Sequence, residues 1–245
     1  MRKHPSCFCV RTRVRATKPR QHCHKRSNTV TKLKLFVDFW NFQLDWNNLV
    51  GKKETGEPIK IPWERELARV LCDAIGRTRG EAVGYAGTHV YASVDPSGDA
   101  GLRKFLHRMD SFPGYSVTQK DRLARPGGIH CRACKQQIVD CPLCKKRLRR
   151  TVEKGIDAAI ITEMVEMGFD GVYDIAVLAS NDADLAQATT FIQNRIGKHI
   201  YNLWFPGKGD TLRNACWDYL PMPRLLSDLG VGVVDSESTD EGPIR

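Results

Sequence analysis

Long apolar runs are missing from this 245-residue chain: nothing approaches the roughly 18 consecutive apolar residues that a membrane-spanning helix needs. Also missing near the start is the apolar stretch of about 7–15 residues that marks a secretory signal. The nine cysteines are therefore expected as thiols or metal ligands in a cytoplasmic protein, not as secreted disulfides. No internal repeat is visible, which sets aside solenoids and propellers. Acids are absent from residues 1–34, which hold eleven Lys/Arg. With 38 Lys/Arg in all, 27 remain against 28 acids in residues 35–245, a net of −1. The overall charge of +10 thus describes the N-terminal block and says little about the body.

That block, residues 1–31, reads as a basic disordered tail able to gather polyanions by counterion release. Organelle transit peptides are similarly Arg-rich and acid-poor, but prolines and a scarcity of Ser and Leu disfavour that reading. Cys7, Cys9, His22, Cys23 and His24 fit no common metal-site spacing. A folded domain is expected over 32–228, with a polar C-terminal tail at 229–245.

Within the domain, Leu33-Lys-Leu-Phe-Val-Asp38 reads as a buried strand, followed by a polar loop over 39–61. A helix is expected from Pro62 through Ile75, a strand within 82–94, a helix from about Asp99 to Met109 and a strand around Tyr115–Gln119. After a cysteine-bearing insertion at about 125–150 come a helix over Val152–Met167 and the nearly all-apolar strand Tyr173–Ser180. A helix over about 183–195 and a strand over Lys198–Phe205 follow. Strands and helices alternating at these lengths give an α/β fold, a mostly parallel sheet with helices on both faces.

Parallel sheets bind ligands beyond the carboxyl ends of their strands, where strand order reverses. Asp38 closes the first strand, Asp182 and Asp184 follow the strand ending at Ser180, and Asp157 starts the helix before it. Taken singly, each acid also reads as a helix cap or turn residue. Packed together, carboxylates repel and must bind cations or protons. An all-oxygen site suits Mg²⁺ or Mn²⁺, which activate water and offset charge on a phosphodiester. Asn41 would orient a water or phosphate without adding charge. Lys154 would meet phosphate, as would Ser180 and Asn181 beside the acids. Trp40, Phe42 and Trp46 are candidates for base stacking, with core packing the competing reading.

Val37-Asp38-Phe39-Trp40-Asn41, Lys154-Gly155-Ile156-Asp157 and Ser180-Asn181-Asp182-Ala183-Asp184 resemble the three signature blocks of the NYN domain, a branch of the PIN-like nucleases. The resemblance covers about residues 33–205. It implies a Rossmann-like PIN fold and Mg²⁺- or Mn²⁺-dependent cleavage of RNA, with DNA as the alternative substrate. By position it makes Asp38, Asn41, Asp157, Asp182 and Asp184 catalytic, and it places a further acid at Glu163. Phe39-Trp40 and Leu185 depart from the usual pattern without removing a ligand.

The insertion carries Cys131-x2-Cys134-x6-Cys141-x2-Cys144, two CxxC pairs at the spacing of a structural Zn²⁺ site. Arg132, Lys135, Lys145, Lys146, Arg147, Arg149 and Arg150 surround it and would place cations beside the substrate, or simply face solvent. Cys72 and Cys216 read as core residues. The expected function is a metal-dependent ribonuclease, acting endonucleolytically, with RNA as partner, no membrane association, and the oligomeric state open between monomer and homodimer. The alternatives are a non-catalytic RNA-binding module and a haloacid-dehalogenase-type phosphatase. The latter needs Asp-x-Asp on its first strand, where this chain has Asp38-Phe39-Trp40.

Overall fold

Six successive buried residues, Leu33 to Asp38, identify strand β1 (Thr31–Asp38) as the centre of a sheet covered on both faces. A computed structural model describes residues 30–232, except 54, 97, 126–128, 131–132, 147 and 149. Residues 1–29 of the expected N-terminal tail and 233–245 of the expected C-terminal tail lie outside the described residues, while Thr31 is already part of β1. After β1 come helix α1 (Phe39–Val50), α2 (Glu66–Arg79), β2 (Val83–Val94), α3 (Ala100–Asp110) and β3 (Tyr115–Asp121). The insertion holds β4 (Leu123–Arg125), β5 (Ile129–His130), β6 (Gln137–Ile138) and β7 (Arg150–Val152). Then follow α4 (Ile156–Phe169), β8 (Ile175–Ala179), a 3₁₀ turn at Ala183–Leu185, and α5 (Ala186–Phe191) continuing as a π-helical segment to Ile196. Last come β9 (His199–Trp204), α6 (Asp210–Ala215), β10 (Asp218–Pro221) and α7 (Met222–Leu225).

The main sheet is parallel throughout, in the order β10-β9-β8-β1-β2-β3. The chain builds outward from β1 to β3, returns, and builds outward the other way from β8 to β10. The reversal falls between β1 and β8, so a crevice opens past the ends of these two strands. Leu33, Leu35 and Val37 face one helix layer, with Phe42, Trp46, Leu67 and Leu71. Phe36 faces the other, with Ile156, Ile160, Tyr173 and Ile192. No described helix is long and apolar enough to cross a membrane.

The loop expected over 39–61 is corrected: residues 39–50 form α1. Phe39, Phe42, Trp46 and Val50 recur at helical spacing and are all buried. Asp38 caps the helix through its side chain, and Gly51 ends it at φ 66°. The helix expected from Pro62 starts later, at Glu66, because Pro62 lies in the preceding turn, and it runs on to Arg79. The expected helix over Val152–Met167 begins four residues late, at Ile156. Val152 instead ends β7, which pairs antiparallel with β4 as the stem of the insertion, and residues 153–155 link it to the helix. Beyond Phe205 the sequence reading had no elements, yet α6, β10 and α7 complete the sheet's far edge.

Candidate metal centre

Asp38 is 5% exposed at the end of β1. One carboxylate oxygen accepts the Asn41 backbone N–H at 3.3 Å. The other accepts the Asn41 side-chain amide at 3.1 Å and the Ser180 hydroxyl at 3.4 Å. Burial pushes this carboxyl up to about 6, the Asn41 hydrogen bonds oppose the rise, and the nearby charges of Glu153 and Asp157 add to it.

Asp157 sits in the first turn of α4, whose entry residue Gly155 adopts φ 80°. Its carboxyl is also raised, chiefly by burial and then by the charges of Asp182, Glu153 and Asp184. Asp182 caps the 3₁₀ turn by accepting the Asp184 N–H at 2.9 Å, while its own N–H donates to the Ser180 hydroxyl at 3.1 Å. The buried Ser180 hydroxyl therefore ties Asp38 to Asp182 from beneath. One oxygen from each of Asp157, Asp182 and Asp184 lies within 4.8 Å of the other two. Among the described residues this is the only such gathering of three or more metal-ligating groups. Asp38 adjoins the trio without belonging to it.

The donor set fits Mg²⁺ or Mn²⁺: it is all oxygen, partly exposed, and crowded with like charge that a cation would relieve. At Asp157 the charges of Asp182, Glu153 and Asp184 add to the upward push of burial, as such crowding does.

Of the other sequence candidates, Asn41 holds the Asp38 carboxylate, and Lys154 is exposed three residues before Asp157. Asn181 donates to buried Asp45 on α1, and Asp45 also receives the Lys208 ammonium. The Asn181 carbonyl oxygen is buried without a partner among the described residues. Phe42 and Trp46 are 1% and 0% exposed, so neither can stack a base, whereas Trp40 is partly exposed. Glu163 turns inward to the Tyr91 hydroxyl at 3.0 Å and His89 at 2.8 Å, away from the trio. Six residues along a helix rotate a side chain by about 240°, onto a different face from Asp157.

Four residues around the acids escaped the sequence reading: Asp45, contacted by Asn181 and Lys208, Glu153, whose charge acts on Asp38 and Asp157, and Ser93 and Arg122, which hydrogen-bond to each other. Asp45 carried a signal, a helical period beginning at Phe39, whereas the other three meet only through contacts distant in sequence. Gly209 belongs here too. It has φ +68°, and a Cβ there would lie 2.6–2.9 Å from the Asn181 side chain. Gly209→Ala should thus cost about 1–3 kcal/mol for the left-handed backbone alone and displace Asn181 next to Asp182. Chemical denaturation of the variant would check this, and an unchanged midpoint would refute it.

In the insertion, Cys134, Cys141 and Cys144 are described, and Cys131 lies outside the described residues. Backbone N–H groups of Cys144 and then Leu143 hold the Cys141 thiol below its usual range. Lys135 and Lys145, each directly after the second cysteine of a CxxC pair, have φ 60° and 57°. Among the described residues no other non-glycine residue has positive φ. Both pairs thus end in the same rare turn.

Comparison with known proteins decides the family. The NYN domain model matches residues 34–223. The chain belongs to the NYN domain family. The expected α/β architecture and the family resemblance both hold, and the family is one of PIN-like nucleases. No curated protein sequence matches this chain. Among solved structures, a protein of unknown function from Vibrio parahaemolyticus is similar at 17% identity and a TM-score of 0.48, over 80% of this chain and 96% of that one.

Proposed function

We propose that this NYN protein is a divalent-metal-dependent ribonuclease that hydrolyses internal phosphodiester bonds of RNA. The observation that carries the reading is the convergence of Asp157, Asp182 and Asp184 within 4.8 Å, beside buried Asp38, at the switch point of a nuclease-family fold. Asp157, Asp182 and Asp184 would hold Mg²⁺ or Mn²⁺, joined by Asp38 on the β1 side. A divalent cation there supplies Lewis-acid activation of the attacking water and offsets charge on the phosphate oxygens. Asn41 and Ser180 keep Asp38 turned toward the site. Lys154 would meet substrate phosphate. The cysteine insertion is proposed to hold one structural zinc through Cys131, Cys134, Cys141 and Cys144. Partners are RNA and no membrane.

The test incubates the protein with labelled single-stranded RNA and DNA in Mn²⁺, Mg²⁺ or EDTA. Internal cleavage of RNA with either metal, lost in EDTA, is expected. RNA bound but left intact under every metal condition would refute the catalytic reading, and cleavage of DNA alone would refute the substrate.

A further inference from the structure

The two legs of the cysteine insertion meet the main fold at one point. Leu123 on β4 pairs with Val152 on β7, so Arg122 and Glu153 are the next residues outward on each leg. Both reach Ser93, a residue 1% exposed near the end of β2. The Arg122 Nε donates to the Ser93 hydroxyl at 2.9 Å, and that hydroxyl donates to Glu153. The Trp40 indole N–H, in turn, donates to the Ser93 carbonyl at 2.7 Å. The Arg122 guanidinium stacks over the Trp40 ring, 4.8 Å from its centroid.

This arrangement stands beside the metal centre. Trp40 is two residues past Asp38 and adjoins Asn41, which holds the Asp38 carboxylate. Asp38 lies level with Tyr91 on β2, so Ser93 is one strand across and two residues along. By strand geometry that is about 8 Å between Cα atoms.

A guanidinium has five N–H donors. Among the described residues, the only side-chain hydrogen bond of Arg122 is the one from Nε. Its Nη2 is 3.9 Å from the Glu153 carboxylate, beyond hydrogen-bonding range. The side chain is only 25% exposed and its guanidinium is stacked on Trp40, and among the described residues its terminal donors have no acceptor within hydrogen-bonding range. A planar fork of this kind matches a phosphate, and its aim is set before substrate arrives.

We infer that Arg122 binds a backbone phosphate of the RNA next to the scissile bond, with Trp40, Ser93 and Glu153 as its positioning residues. The inference rests on the ribonuclease reading and deepens it. The insertion then does more than decorate the surface: its stem delivers both the cation and the acid that steadies it. Arg122 acts through binding, while the aspartates act on the chemistry.

The test uses the full chain carrying Asp157→Asn, so that RNA is bound and not cut, with and without Arg122→Gln. Binding of a short labelled single-stranded RNA is followed at fixed Mg²⁺ from about 50 to 200 mM salt. Arg122→Gln is expected to weaken binding about tenfold at low salt, the loss of a charge-assisted contact. It should also flatten the log–log salt slope by about 0.7, one phosphate contact on a single strand. Arg122→Lys should keep the slope and recover only part of the affinity, because the fork is lost. An unchanged salt slope in a folded Arg122→Gln protein overturns the inference. So does a change confined to Mn²⁺ affinity, which would make Arg122 a mere counter-charge to the acids. Should Arg122→Gln fail to fold, Ser93→Ala carries the test. It frees the guanidinium while keeping its charge, so affinity should drop about threefold at an unchanged slope, and unaltered affinity overturns the inference. A parent protein that binds no RNA would instead sink the ribonuclease reading itself. Were the parent to bind RNA, and Asp157→Asn to abolish cleavage, with Arg122→Gln silent, only the role of Arg122 would fall.

Discussion

Replacing Asp38 by Asn is expected to lower RNA cleavage by about a hundredfold or more while leaving the metal-free protein at least as stable as its parent. The activity loss is set by chemistry. Outer-sphere partners of a metal are commonly worth 10–100-fold, so a carboxylate at the centre should cost at least the upper end. The stability effect follows from burial. The Asp38 carboxyl is raised to about 6 from an ordinary 3.8, chiefly by desolvation. A carboxyl raised in the folded state binds its proton more tightly there than in the unfolded chain. The resulting penalty is absent below about pH 4, grows as pH rises, and is complete above about pH 6. Two pKa units correspond to about 3 kcal/mol at most, and Asn still presents a group to Asn41 and Ser180. In EDTA at pH 8, Asp38→Asn should therefore unfold at an equal or higher denaturant concentration than the parent, with the difference vanishing toward pH 4. Full activity in the variant would remove Asp38 from the mechanism. A large loss of stability at pH 8 would mean that its hydrogen bonds outweigh its burial.

Protein purified without chelator is expected to carry about one zinc per chain, lost from the Cys131→Ser, Cys144→Ser double variant. The paired spacing suggests the site, and the local backbone supports it. Twin positive-φ turns follow Cys134 and Cys144. Backbone N–H groups aimed at Cys141 favour its thiolate, the form that ligates metal. Residues 133–146 are exposed except for half-buried Cys141, so the segment has no apolar core with which to hold itself. Zinc sites in such segments supply about 10–16 kcal/mol of apparent binding energy in peptides, far more than two short antiparallel ribbons can. Loss of the metal should thus speed amide exchange across 133–148 by orders of magnitude and leave β8, buried throughout, as protected as before. Elemental analysis finding no zinc, or zinc retained by the double variant, would refute the assignment. Slowed exchange would do so as well. Because Arg122 and Glu153 flank the stem, RNA affinity should decline along with the zinc.

The four aspartates were legible because each stands at a strand or helix terminus that hydrophobic patterning could locate. β8 illustrates why: five consecutive buried apolar residues can be little else than a central parallel strand, and the acids after it must lie at its carboxyl end. Helix α1 was missed although its apolar period was present, because Gln43, Asp45, Asn47 and Asn48 give the segment the polar look of a loop. The late start of α4 has a different origin. Val152 is drawn into the ribbon by its pairing with β4, and Gly155 at φ 80° delays the helix to Ile156.

The chain positions of β1, β2, β3, β8 and β9 and the terminal positions of Asp38, Asp157, Asp182 and Asp184 were legible in the sequence alone, since burial on both faces of a parallel sheet leaves a pattern that local reading recovers. Which acids converge was decided only in three dimensions. Asp157, Asp182 and Asp184 meet closely while Asp38 stays beside them, because the crossover between β1 and β8 sets their separation. Glu163 turns away because helical rotation carries it to another face. Arg122, Ser93 and Glu153, separated by up to 60 residues, form one unit only when the stem of the insertion folds back on the end of β2. Electrostatics and hydrogen bonding act across space, and a linear pattern records none of the distances on which they depend.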